Sequence, residues 1–120
     1  MTYQRNTISL LSKNFALRVI KLYKYLLEGK HEHIMSKQVY RSGTSIGANI
    51  AESRNAQSTA DYINKLSIAL KEADETMYWL ELLNESGTID VKQFESLSND
   101  LNIIIGTLIN IIKKLKERGE

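Results

Sequence analysis

Residues 41–54 read RSGTSIGANIAESR. Two glycines and a run of small residues leave bulk only at Ile46 and Ile50. Such a stretch is either a loop that cradles a ligand or a helix that lets a neighbour approach closely. The loop reading lacks its context: no strand pattern precedes the stretch, and neither G-x-G-x-x-G nor G-K-[ST] occurs. The helical reading has a pattern behind it. Met35, Val39, Ser42, Ile46 and Asn49/Ile50 track one stripe, so the periodicity passes through the glycines. Gly43, Gly47 and Ala51 recur every four residues and make a shallow groove on one face. A glycine inside a helix costs about 1 kcal/mol relative to alanine. Two of them imply close packing, against a neighbouring helix or a second subunit, that offsets the penalty. Replacing Gly47 with Leu is expected to overpack that contact by about 1–3 kcal/mol or more.

The same periodicity extends outward on both sides. Leu11, Phe15, Val19, Leu22 and Leu26 form one stripe over residues 8–28, and Gly29 follows. The segment around the glycines spans 33–54. The third spans 58–85 and opens on STAD, which resembles a capping box with Asp61 in place of Glu or Gln. Tyr62, Leu66, Ala69, Ala73, Thr76, Leu80 and Leu83 carry its seam, and Gly87 sits at a C-cap position. The fourth spans 90–118, starting at Asp90 with Gln93 three residues on. Its seam is Phe94, Leu97, Leu101, Ile104, Leu108, Ile111 and Leu115. The chain has no proline, which suits long uninterrupted helices. Short connections between long helices make neighbours antiparallel. The expectation is one all-α domain over residues 1–120, an antiparallel up-down four-helix bundle.

Composition narrows the chemistry. Hydrophobic residues make up 42% and charged residues 25%, ordinary for a globular domain. There is no cysteine, so disulfides and thiolate chemistry are excluded, which fits a cytoplasmic protein. The first ten residues lack a signal-peptide apolar core, and the apolar run 103–112 is too short for a bilayer, so no membrane association is expected. A di-metal bundle site needs Glu-x-x-His motifs. Glu72 and Glu75 give E-x-x-E, but no Glu has a His three residues later. His31 and His33 flank Glu32 in a loop and read as a polar turn. No nucleophile elbow surrounds any serine. The expectation is a non-enzymatic protein with no catalytic residue, no metal and no cofactor.

Net charge is only +2, but it is unevenly placed. Residues 1–30 hold six bases, Arg5 among them, and one acid; residues 61–90 hold two bases and seven acids. Lys13, Arg18, Lys21 and Lys24 fall within an arc of about 140° on the first helix, opposite its core stripe. They are candidate phosphate contacts. The alternative is that the basic first helix meets the acidic third, within a subunit or across an interface. Arg41, Ser45, Asn49 and Glu52 share a further face of the second helix, as a solvated strip or a polar network. Tyr78, Trp79, Leu82, Ile105, Ile109 and Ile112 add apolar width beyond the seams and are candidate subunit contacts.

The run from Arg41 to Leu83 resembles the four helix bundle protein family of bacterial ribosomal-RNA intervening sequences. Its pattern of an Arg, Ser-Ile, two small residues, Asn-Ile-Ala-Glu and a later aromatic is met in order by Arg41, Ser45, Ile46, Asn49, Ile50, Ala51, Glu52 and Tyr62. This chain has Gly47 where the family often has Pro, and Ser53 where it often has Gly. The resemblance implies a ring-shaped homopentamer. It also implies kinship with accessory proteins of diversity-generating retroelements, which bind nucleic acid and a reverse transcriptase. The expected function is a helical-bundle accessory module that binds RNA or DNA through the basic first-helix face. The alternative is a purely structural or protein-interaction oligomer.

Overall fold

The computed structural model describes residues 3–118, with side chains from residue 7 onward; Arg5, counted above, therefore lies outside the described side chains. The described residues form four long helices and no strand. They are α1 (Tyr3–Lys24), α2 (Met35–Ser53), α3 (Thr59–Glu85) and α4 (Val91–Glu117). Each helix packs on its neighbours around a square, α1 on α2, α2 on α3, α3 on α4 and α4 on α1. The body is elongated, 48 × 22 × 19 Å. None of these helices is long and apolar enough to cross a membrane.

The seams read from the sequence are the core. Phe15, Val19 and Leu26 meet Val39 and Ile46, Leu66, Ala69, Ala73, Leu80 and Leu83, and Leu101, Ile104 and Leu108, all sealed from solvent. Each buried leucine, isoleucine or phenylalanine contributes about 1.5–3 kcal/mol relative to exposure. At the start of α1 the stripe enters through Ile8 and Ser12, and Leu11 is only partly covered. The helix begins at Tyr3, before the residue 8 expected from the stripe; its first turns are polar, so no apolar periodicity marks that start.

The ends are fixed by specific groups. Asp90 and Gln93 form a reciprocal capping box: Gln93 N–H donates to Asp90 Oδ1 at 2.8 Å, and Asp90 N–H to Gln93 Oε1 at 2.9 Å. At α3 only half a box forms. Asp61 N–H donates to Ser58 Oγ at 3.0 Å, but the Asp61 carboxylate accepts from Gln57 N–H instead of the cap residue. Gly87 takes φ +79 just past α3. Thr88 N–H then donates to Leu83 C=O and Gly87 N–H to Asn84 C=O, closing a Schellman motif. Between α1 and α2 the chain runs through a π-helical turn, Tyr25–Gly29. The Glu32 carboxylate then accepts from the amides of Ile34, Met35 and Ser36, at 3.1, 3.0 and 2.6 Å. The middle residue of the His-Glu-His turn is thus the acidic cap that starts α2.

The glycine stretch lies inside α2, and its groove faces α1. Gly43 is buried against Val19, while Gly47 sits over the Ser12 backbone. The close partner is a neighbouring helix of the same chain.

Candidate nucleic-acid interface

Because α1 and α2 are neighbours, their outer surfaces form one layer of the bundle, and those of α3 and α4 form the other. Charge separates along the same line. Residues 1–54 hold nine bases and three acids, a surplus of six positive charges. Residues 55–120 hold seven bases and eleven acids, a surplus of four negative charges. Counted by helix, α1 holds five bases and no acid and α3 two bases and six acids, while α2 and α4 each carry a surplus of one positive charge, that of α4 from the lysines near its end.

Lys13, Lys21 and Lys24 are exposed on α1, and none takes part in an ion pair among the described residues. Arg18 stands apart from them. Its Nη1 donates to Asp100 Oδ2 at 2.7 Å and to Ser96 C=O at 3.1 Å, and its Nη2 to Ser96 Oγ at 2.7 Å. The guanidinium therefore ties α1 to α4 and is not free for a phosphate. Among the described residues no ion pair joins a first-helix base to a third-helix acid within the chain, where α1 packs on α2 and α4. On α2 the exposed cations without an ion pair among the described residues are Lys37 and, at its C-cap, Arg54, with Lys30 in the preceding loop.

Tyr23 of α1 and Tyr40 of α2 pack together, ring centroids 4.7 Å apart and planes tilted by 38°. Reading helices one at a time missed this pair. Lys24 follows Tyr23 in the chain, and Lys37 precedes Tyr40 by one helical turn. Cations beside an exposed aromatic pair suit a polyanion that also carries flat apolar rings.

The other motif residues turn to α3. Arg41 reaches across with a fork: Nη1 donates to Glu72 Oε1 at 3.2 Å and Nη2 to Glu75 Oε2. Trp79 Nε1–H donates to the same Glu75 oxygen at 3.1 Å. The Arg41 hydrogen bond, followed by that from Trp79, holds the Glu75 carboxyl below its usual range. The same bond raises the Arg41 pKa. The E-x-x-E pair is thus engaged by an arginine, and no cluster of three or more potential metal ligands forms among the described residues. Ser45 Oγ donates to Arg41 C=O and Asn49 Nδ2 to Ser45 C=O, along their own helix. Glu52 accepts from Lys65 Nζ at 3.3 Å. Arg41 and Glu52 bridge to α3 at the two ends of the strip, while Ile46 and Ile50 fill the core and Ala51 is exposed.

The six apolar interface candidates do not form one patch. Ile112 is 8% exposed and belongs to this chain's own core, which corrects the expectation that it is free for a partner. Ile105 and Trp79 pack partly on that core, and Leu82 is half-buried. Tyr78, edge-on to Trp79, and Ile109, beside Leu70, remain open. Leu10 and Leu17 on α1, among the lysines, are also open, 61% and 53% exposed, as is Ile103 on α4.

A family model described as 23S rRNA-intervening sequence protein matches residues 4–110. No match is found among curated proteins. The chain is similar to the 1.70 Å crystal structure of a protein with unknown function from the S23 ribosomal protein family of Bacteroides thetaiotaomicron VPI-5482. The two are 55% identical over 92% of this chain and 98% of that chain, with a TM-score of 0.91.

Proposed function

The chain belongs to the 23S rRNA-intervening sequence protein family, and we propose that it is a non-enzymatic accessory module that holds a nucleic acid on its α1/α2 layer. The observation that carries this reading is the basic face of α1, on which Lys13, Lys21 and Lys24 are exposed and without ion pairs among the described residues. Phosphate contacts need only such a field of cations, and they supply affinity without base recognition. The family's tie to ribosomal RNA makes RNA the first ligand to try, in a cytoplasmic setting. The test is titration of labelled RNA with the wild type and with a Lys13→Glu, Lys21→Glu, Lys24→Glu variant. The expected result is loss of binding in a variant that melts normally. Equal binding by both proteins would contradict the reading.

A second reading, association of copies, is supported by a different feature. The Leu10 and Leu17 face of α1 is basic, whereas the outer face of α3 carries Asp74, Tyr78, Glu81 and Glu85. The two helices lie diagonally across the bundle, so only another copy can bring these faces together. Such a head-to-tail contact closes into a ring or continues as a chain. Light scattering at micromolar concentration is expected to give a multiple of 13.7 kDa. A Leu10→Ser, Leu17→Ser variant is expected to fall to the monomer mass. A wild type that stays monomeric as concentration rises would exclude this reading.

A further inference from the structure

Resting on the reading of the α1/α2 layer as a nucleic-acid interface, we infer that the ligand is a single-stranded polynucleotide whose bases stack on the Tyr40–Tyr23 pair. Tyr40 keeps 40% of its surface in solvent, and Tyr23, partly buried, supports it from α1. Neither hydroxyl has a hydrogen-bond partner in the protein among the described residues, so the pair is held by ring contact alone.

The charge around the pair selects the ligand. Lys24 follows Tyr23 on α1 and Lys37 lies three residues before Tyr40 on α2, both exposed and without ion pairs among the described residues. Arg41, next to Tyr40, is occupied by Glu72 and Glu75. The nearby Glu32 carboxylate is occupied by three backbone amides. The unpaired cations of this region are thus Lys24 and Lys37, while Glu32 keeps its charge but is turned onto the start of α2 and Glu28 is exposed in the π-helical turn. A duplex keeps its bases stacked inside and would use only the lysines. A single strand can turn a base out onto an aromatic face while its phosphates meet the cations. The rings and the lysines are both used only in the second case. Tyr78 is the internal control: it is more exposed than Tyr40, 52% against 40%, but lies on the acidic helix α3.

The experiment is fluorescence anisotropy on the full chain at low salt. The probes are short labelled single strands, in RNA and DNA arms, and duplexes of the same length. The wild type is expected to bind single strands more tightly than duplexes. Tyr40→Ala is expected to weaken single-strand binding about tenfold, to leave duplex binding and thermal melting unchanged, and to be rescued by Tyr40→Trp. Tyr78→Ala is expected to change nothing. Binding in either arm, or both, supports the shared chemistry, and the arms identify the sugar. If Tyr40→Ala leaves single-strand binding intact, or weakens both strand types equally, the stacking inference falls while the phosphate-binding reading stands. If no strand binds at low salt, the underlying reading fails and takes this one with it.

Discussion

A methyl group added at Gly43 would sit 2.7 Å from Val19 Cγ2 and 2.9 Å from Cγ1. Val19 is fully buried, and a β-branched side chain has few rotamers through which to move aside. The clash outweighs the helix propensity that alanine adds. Gly43→Ala is therefore expected to lower stability by about 1–3 kcal/mol, read as a shift in the urea midpoint. At Gly47 the same methyl would lie 3.4 Å from the Ser12 carbonyl oxygen, ordinary contact. Gly47→Ala is expected to be neutral or to stabilise by up to about 1 kcal/mol. Equal losses at both sites would contradict this picture. The four-residue spacing disclosed that both glycines belong to one helical groove. It could not rank them, because the rank depends on which α1 atoms lie opposite, a contact between residues far apart in sequence.

Between elements, α2 is joined to α3 by Arg41 and its two carboxylates, and that joint responds to pH. The Glu75 pKa is lowered by its hydrogen bonds, first from Arg41 and then from Trp79. A carboxyl with a depressed folded-state pKa contributes stability that is present above its unfolded value and lost as pH falls through the folded value. The pair is well exposed to solvent, so its contribution is small, under about 1 kcal/mol. Wild type is expected to exceed Glu75→Gln in thermal midpoint at neutral pH. The difference should vanish on acidification below the ordinary glutamate range; a difference that persists there would place its cause elsewhere. Local signals at this scale were legible. Asp90 with Gln93 and Gly87 read correctly because a cap is set by residues within one turn. The π-helical turn and the Glu32 cap were not, since a run such as Tyr25–Gly29 carries no periodicity of its own and Glu32 acts through backbone amides. Arg18 read as a free base because its partner, Asp100, is 82 residues away.

For the whole molecule, the packing sets the strongly basic α1 and the strongly acidic α3 diagonally across the bundle, with α2 and α4 each near neutral. The basic face of α1 was legible from the spacing of its lysines alone. Tyr23 and Tyr40 were not, because only the α1–α2 packing brings them together. If the basic face of α1 carries phosphate contacts, RNA affinity must fall with salt. Each phosphate neutralised steepens the slope of log K against log salt by about 0.7 for a single strand and about 0.9 for a duplex. The wild type is expected to show a slope of about −2 to −4. A Lys13→Ala, Lys21→Ala, Lys24→Ala variant is expected to be shallower by about 2, with its fold intact by circular dichroism. An affinity that does not change with salt, or a slope that the triple variant leaves untouched, would contradict the claim.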